Sequence, residues 1–142
     1  MKEVRIKMVR EKEIDYGIEV ISSPEDVYTV LSNYIGDSDR ERLVVLCLDV
    51  KNNINAINTV SVGNLSSSIC HPREIFKPAF LSNSAAIIIG HNHPSGSIEP
   101  SKDDIKITKK IDECGKLLDV NLLDHIIIGD NSYCSLKEED VF

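Results

Sequence analysis

The sequence predicts an α/β fold, or a closely related α+β fold, in which helices cover a mixed β-sheet. Segments with helical spacing of apolar residues alternate along the chain with short, continuous apolar runs that are typical of buried strands. The length of 142 residues fits one domain, and 42% apolar residues is enough for a continuous core. We therefore expect an N-terminal arm, residues 1–22, followed by a single domain, residues 23–142.

The first part of the chain predicts this arm and then a helix. Apolar residues alternate weakly along the arm, which allows an edge strand there: Val4, Ile6 and Met8. The stretch "SSPEDVYTVLSNYIGD" then has Ser23 in the N-cap position, Pro24 at the first helical position and Gly36 past the end. These signals predict a helix between Ser23 and Gly36.

A β-hairpin and a second helix are predicted next. "RLVVLCLDV", residues 42–50, and "INAINTVSV", residues 54–62, have the composition of strands, and "KNN" between them is typical of a turn. "HPREIFKPAF" predicts a helix with Pro72 at its first position. Pro78 lies inside this helix and predicts a kink, or a cost of about 3 kcal/mol if the helix stays straight.

The second half of the chain supplies the remaining elements. "AAIIIGH", residues 85–91, has the length and continuous apolarity of a strand covered on both faces. "SKDDIKITKKIDECGKLLDV" predicts a third helix, because its apolar residues recur at helical spacing: Ile107, Ile111, Cys114 and Leu118. "HIIIG", residues 125–129, and "YCSL", residues 133–136, complete the predicted sheet.

Composition argues against several classes of function. The net charge of −7, with no block of basic residues, makes nucleic-acid binding by this domain alone an unfavoured function. The longest apolar run, Leu43 to Leu48, is too short to span a membrane, and the N-terminus is too charged for a signal peptide. We therefore expect a cytoplasmic protein without a membrane segment. Its scattered cysteines are typical of reduced thiols: Cys47, Cys70, Cys114 and Cys134.

The stretch "GHNHPSGSIEPSKDD", residues 90–104, is the strongest functional signal. His91 and His93 stand two residues apart at the end of a predicted strand, so both imidazoles point to the same side. Two neutral imidazoles and one carboxylate form a common catalytic zinc set, with a fourth position open to water. Asp104, one turn into the next helix, is the best candidate for the carboxylate, but spacing alone does not exclude Asp103.

A purely local interpretation of the second half of this motif is also available. Ser101-x-x-Asp104 before an apolar-periodic segment is a helix N-terminus signal, in which the serine caps free N–H groups. The same pattern recurs at Ser23-x-x-Asp26, where no histidines precede it. Taken alone, Ser101 and Asp104 therefore predict a helix cap.

A hydrolytic metal site also needs a general base. Three glutamates are candidates from their positions: Glu41 before the first buried strand, Glu74 at the head of the second helix, and Glu99 in the loop. Glu41 is attractive because a rigid strand would hold it and partly desolvate it. The alternative is that Glu41 is an ordinary solvated charge in the run "DSDRER".

These residues resemble a known family. His91-Asn92-His93-Pro94 with Ser101 and Asp104 is similar to the JAMM (MPN) metalloprotease signature, H-x-H-P followed by S-x-x-D. Over about residues 39–137 the chain also resembles the RadC branch of that superfamily. Five strings carry this resemblance: "LDVKNNI", "HPREIFKPAF", "HNHPSG", "PSKDD" and "LLDHIIIGD".

The resemblance implies a JAMM/MPN-type, cytidine-deaminase-like sheet flanked by helices. It implies one Zn²⁺ bound by His91, His93 and Asp104, with Ser101 hydrogen-bonding near the metal water and Glu41 as the general base. The implied activity is hydrolysis of an amide bond in a peptide, isopeptide or protein substrate.

Three expectations qualify this implied function. RadC proteins typically carry a helix-hairpin-helix region associated with DNA binding; this chain has no room for one, so we expect the DNA-repair name of the family not to transfer. His71 and His125 recur in the RadC-like strings outside the metal signature, and we expect structural, hydrogen-bonded roles for them. The rival functions are an inactive MPN scaffold that binds a protein or nucleic-acid partner, and an iron oxygenase with two histidines and one carboxylate.

Overall fold

The structure, a computed structural model, describes residues 1–63 and 70–142. Within these residues the chain forms helices and strands in the order α1 (Pro24–Ile35), β1 (Arg42–Leu48), β2 (Ile54–Val62), α2 (Pro72–Leu81), β3 (Ala86–Asn92), α3 (Lys102–Leu118), β4 (Asn121–Ile128) and β5 (Tyr133–Ser135). The strands form one sheet in the order β2-β1-β3-β4-β5. The β3–β4 pair is parallel and the other pairs are antiparallel, so the predicted mixed α/β sheet is confirmed.

The sheet is covered on both faces, because alternate residues of its central strands are apolar on both sides. Ile87 and Ile89 of β3 pack with α2 and α3 on one face, in a cluster that includes Phe76 and Ile107. On the other face, Ile88 packs in a second cluster with α1 and the second part of the arm. The position of β3 between these two layers accounts for its uninterrupted apolar sequence.

The arm differs from the prediction. Residues 1–15 form no regular structure, and Val4, Ile6 and Met8 are exposed, so the edge strand predicted for them is wrong. The second part of the arm does contact the sheet: Tyr16 and Ile18 pack against the cluster that includes Ile88, and Val20 forms an isolated antiparallel bridge with Asn53. Weak alternation does not form a strand without a neighbouring edge to supply hydrogen bonds.

Two other local predictions have clear outcomes. Helix α2 runs without interruption from Pro72 to Leu81, with Pro78 inside it. Pro78 lies close to the C-terminal end of the helix, so little of the helix follows the position that the proline disturbs. Strand β4 begins at Asn121, four residues earlier than the predicted His125, and includes the buried Asp124. No helix in the described part of the chain is both long and apolar enough to cross a membrane.

The packing of β3 fixes the place where the site forms. A Cβ atom at Gly90 would overlap the Leu31 side chain of α1, so glycine allows α1 to lie close against the strand. His91 follows, paired with Leu43 of β1 on one side and with Ile127 of β4 on the other. The end of the central strand is therefore held by neighbours on both edges and on the α1 face.

Candidate metal centre

The two histidines of the motif lie at the end of β3. His91 continues the series of Ile87 and Ile89 toward the face covered by α3, and it is fully buried. His93 lies just after the strand, where its main-chain N–H donates to the Ile128 carbonyl at 2.9 Å and continues the pairing with β4. The His93 side chain is 12% exposed. The pair is thus rigidly held and reachable from solvent only at His93.

The first turn of α3 brings Asp104 to these imidazoles. The Nε2 atoms of His91 and His93 are 3.0 Å apart, and each lies 3.2 Å from a different carboxylate oxygen of Asp104. One ligand atom from each of the three residues lies within 4.8 Å of the others, so this cluster can hold a metal ion. Of the two adjacent aspartates, Asp104 contributes the carboxylate to the cluster; Asp103 is not part of it.

The chemistry of these ligand atoms fits a cation. The Nδ1 atom of His93 lies 2.8 Å from the Ser97 carbonyl, which only accepts hydrogen bonds, so Nδ1 carries a proton, and in the neutral imidazole, the form that binds a metal, Nε2 has the lone pair. That lone pair faces the carboxylate of Asp104 at 3.2 Å. Two acceptors at this distance repel unless a cation lies between them, and imidazole nitrogen with carboxylate oxygen is a usual set for a divalent metal.

Asp104 is ionised in this site. Burial by itself raises the pKa of its carboxyl, but hydrogen bonds to the carboxylate, including one from the Ser101 main-chain N–H, outweigh burial and hold that pKa well below its usual range. An ionised carboxylate that is only 2% exposed is therefore available as a ligand.

The local interpretation of Ser101 and Asp104 is also correct. Ser101 is the N-cap of α3: its Oγ accepts from the Asp104 N–H at 3.0 Å, and Asp104 Oδ2 accepts from the Ser101 N–H at 2.8 Å. The same carboxylate thus closes a capping box and faces the imidazoles. Since a hydroxyl that accepts one hydrogen bond still has its own proton to donate, Ser101 can also offer a donor beside the cluster.

Glu41 lies beside the same end of the sheet. With Asp39, Arg40, Gly63 and Pro94 it lines a cavity of about 380 Å³, and Pro94 directly follows His93. Its side chain is partly exposed, and its carbonyl accepts from Gly63 N–H at 2.8 Å.

Asn92, between the two histidines, fixes the main chain around Glu41. Its side-chain oxygen accepts from Arg42 N–H at 2.8 Å, and its amide nitrogen donates to the Arg40 carbonyl at 3.0 Å. Both residues that flank Glu41 are therefore tied to the strand that carries the histidines. The sequence indicated no role for Asn92; its position between two candidate ligands was the available signal.

The other candidate bases lie in different surroundings. Glu74 is on α2, where its carboxylate pairs with Lys77 at 2.9 Å, and Glu99 is exposed in the loop before α3. His71 is the N-cap residue of α2 and makes no side-chain capping bond. Of the three glutamates considered, Glu41 is the one that lines a cavity together with Pro94, the residue after His93.

His125 lies directly behind His91. Its Nε2 is 2.7 Å from Nδ1 of His91, and its Nδ1 is 2.6 Å from the Thr108 hydroxyl. Burial holds the pKa of His125 well below its usual value, so this imidazole is neutral. The sequence predicted a hydrogen-bonded role for His125 but missed Thr108, a polar residue on the buried side of α3 one turn after Asp104.

The loop between β3 and α3 is held against the end of β4. Gly96 accepts at its carbonyl from Asp130 N–H at 3.0 Å, and a Cβ atom at Gly129 would overlap that carbonyl and the Ile98 side chain. This contact fixes the segment whose Ser97 carbonyl orients His93. Glycine at 129 therefore supports the geometry of the cluster from outside it.

Comparison with known families agrees with this geometry. Residues 21–141 match the model of a family described as "RadC-like JAB domain". The chain belongs to this family. The predicted resemblance to the RadC branch of the JAMM/MPN superfamily is thus confirmed. The family match is longer than the segment, residues 39–137, from which the resemblance was predicted.

Curated relatives of the RadC-like JAB domain occur in archaea and bacteria. A protein named UPF0758 from Methanosarcina mazei is 51% identical over 119 residues, which is 84% of this chain and 52% of the relative. UPF0758 proteins from Rubrobacter xylanophilus and Clostridium botulinum are 47% and 51% identical over 122 and 119 residues, covering 86% and 84% of this chain and 53% and 52% of those relatives. The chain therefore spans about half the length of these relatives, and their names specify no activity.

Proposed function

We propose that this RadC-like JAB domain is a zinc-dependent hydrolase of peptide or isopeptide bonds. The observation that carries the proposal is the convergence of two imidazole Nε2 atoms and one carboxylate, from His91, His93 and Asp104, at the end of β3. Two nitrogen ligands and one oxygen ligand are typical of catalytic zinc, whose fourth position stays open. When bound there, zinc would activate a water molecule and polarise the scissile carbonyl.

Glu41 is our proposed general base. It would accept a proton from the attacking water and return it to the leaving nitrogen, as a glutamate beside a hydrolytic metal commonly does. Two observations support this assignment: Glu41 lines the cavity beside Pro94, and Asn92 ties both of its neighbours to β3. Proton transfer of this kind contributes about 10²–10⁴-fold to a rate.

Ser101 is our proposed donor to the oxyanion that develops on the scissile carbonyl. Its Oγ is already fixed by the Asp104 N–H, so the hydroxyl is positioned beside the metal ligands before a substrate binds. The substrate would enter from the exposed edge of His93 and occupy the cavity that Glu41 lines.

The test is hydrolysis of libraries of linear and isopeptide-linked peptides by wild type, Glu41→Gln and Glu99→Gln. Glu41→Gln is expected to lower kcat about 10²–10⁴-fold and to leave zinc content unchanged, whereas Glu99→Gln retains both. Full hydrolysis by Glu41→Gln would show that another group is the base. A wild type that binds one zinc per chain but cleaves no library member would favour an inactive scaffold over a hydrolase.

A further inference from the structure

We propose that Thr108 and His125 are positioning residues that hold His91 in the tautomer that can bind a metal in this cluster, with the proton on Nδ1 and the lone pair on Nε2. The inference rests on the proposed metal site, but it concerns residues outside the ligand set. It follows from a chain of three short contacts that starts at a main-chain carbonyl.

The first contact sets the direction of the chain. The Thr108 hydroxyl lies 2.7 Å from the main-chain carbonyl of Asp104, and a carbonyl can only accept, so the hydroxyl donates its proton there. The same oxygen lies 2.6 Å from Nδ1 of His125. Because the hydroxyl proton is already engaged, the oxygen must accept, and the proton of His125 lies on Nδ1.

The position of the proton on His125 then determines the position of the proton on His91. His125 is fully buried between a hydroxyl and another imidazole, so it carries a single proton; with that proton on Nδ1, its Nε2 is a lone pair, 2.7 Å from Nδ1 of His91. His91 must therefore donate from Nδ1, so the neutral form of His91 has its lone pair on Nε2. That atom faces Asp104 Oδ1 at 3.2 Å and is the one that the cluster offers to a metal.

Burial prevents water from substituting for any member of this hydrogen-bonded chain. His91, Thr108 and His125 are each 0% exposed, so bulk water cannot replace a lost partner. The chain also joins the two ligand-bearing elements, because it begins at the carbonyl of Asp104 on α3 and ends at His91 on β3. The carboxylate and the imidazole are thus linked on the side away from the metal position, as hydrogen-bonded partners behind metal ligands generally are.

The direct test is the tautomer of His91 in the metal-free wild-type protein, from long-range ¹H–¹⁵N NMR of the imidazoles. We expect a protonated Nδ1 and an unprotonated Nε2 for His125, and a protonated Nδ1 for His91. An unprotonated Nδ1 on His91 would overturn the proposal, whether or not the protein is an enzyme.

The second test is zinc affinity, measured by competition with a chelating dye, in wild type, Thr108→Val and Thr108→Ser. Thr108→Val removes the hydroxyl without changing the shape of the side chain and is expected to weaken zinc binding about 10–100-fold. Thr108→Ser keeps the hydroxyl and is expected to retain wild-type affinity. Thr59→Val is the matched control, since its hydroxyl contacts Tyr34 instead of the site.

A corresponding pair of variants tests His125. His125→Gln can keep an acceptor for His91 Nδ1–H, whereas His125→Leu cannot, so only the leucine variant should lose zinc affinity and alter the absorption spectrum of bound Co²⁺. Equal zinc affinity in wild type, Thr108→Val and His125→Leu would overturn the proposal. Failure of the wild type to bind zinc would instead overturn the proposed function, while the NMR experiment would still test the tautomer.

Discussion

Two copies of the same motif, Ser23-x-x-Asp26 and Ser101-x-x-Asp104, show how a local signal and a functional site are related in this molecule. Both form a capping box at the start of a helix. The serine oxygen accepts from the aspartate N–H at 3.3 Å in the first copy and at 3.0 Å in the second. As caps, the two regions are equivalent.

The surroundings of the two carboxylates differ. Asp26 is partly exposed, and within residues 1–63 and 70–142 its Oδ2 accepts only from its own segment: the Ser22 N–H at 2.8 Å, the Ser22 hydroxyl at 2.7 Å and the Ser23 N–H at 3.1 Å. Asp104 is 2% exposed and lies against two imidazoles from β3. The cap is therefore made by local sequence, whereas the candidate site is made by the sheet that brings His91 and His93 to one of the two caps.

The largest expected difference between the two regions is in zinc binding. Asp104→Asn keeps an oxygen that can cap α3 but removes the charge that faces the imidazoles, and we expect it to abolish stoichiometric zinc binding in isothermal titration calorimetry. Asp26→Asn makes the same chemical change on α1 and should bind zinc as the wild type does. Similar zinc affinities in the two variants would mean that Asp104 is only a cap.

A smaller effect is expected when the loop is displaced without touching a ligand. Gly129→Ala places a Cβ atom against the Gly96 carbonyl and should shift the neighbouring Ser97 carbonyl, which orients His93. We expect zinc binding to weaken about 10-fold, because the loss of a hydrogen-bonded partner of a metal ligand commonly weakens metal binding. Gly115→Ala is the matched control, because its Cβ would meet the Val120 carbonyl at the far end of α3.

Thermal unfolding and zinc titration of both variants separate a general loss of stability from a specific loss of zinc affinity. Both should unfold more readily than the wild type, since each crowds a main-chain oxygen. Only Gly129→Ala should lose zinc affinity. If Gly115→Ala lost as much, zinc affinity would report general stability instead of the geometry at His93.

Substitution of either capping serine should lower stability by nearly the same amount, but only one of the two substitutions should lower activity. Ser23→Ala and Ser101→Ala are each expected to lower the free energy of unfolding by about 1 kcal/mol, the usual contribution of an N-cap side chain. Only Ser101→Ala should also lower kcat for peptide hydrolysis, because only Ser101 lies beside the candidate site. Equal kcat in the two variants would restrict Ser101 to the cap.

The smallest expected effect is a pH dependence of stability at the first cap. Hydrogen bonds from the Ser22 hydroxyl and the Ser22 N–H hold the pKa of Asp26 below its ordinary value of 3.8. A lowered folded-state pKa means that the stabilisation is present above about pH 4 and is lost as pH falls through the folded-state value. Denaturant unfolding from pH 6 to pH 3 should show a shallower acid decline for Asp26→Asn than for wild type, and identical slopes would contradict this assignment.

The same comparison explains what the sequence could predict. Helix starts at Ser23 and Ser101 were predictable because a cap depends on neighbouring residues alone. His91 and His93 were predictable as a pair because strand residues two apart share a side. These inferences need only local geometry and one element of regular structure.

Other features depend on how elements pack. The rotation of α3 about its axis decides that Asp104 and Thr108 face β3, and no spacing in the sequence determines that rotation. The contact of Asn92 with the residues around Glu41 depends on the register between β1 and β3. The edge strand predicted in the arm failed for the same reason, since a strand needs a partner edge that alternation cannot reveal.

We propose that the chain binds one catalytic zinc through His91, His93 and Asp104. The most direct test is elemental analysis of the purified wild-type protein after incubation with zinc and dialysis, beside His93→Ala and Asp104→Ala. We predict about one zinc per chain in the wild type and its loss in both variants, from the ligand set that catalytic zinc requires. A wild type without zinc, or variants that retain it, would contradict a zinc site formed by these three residues.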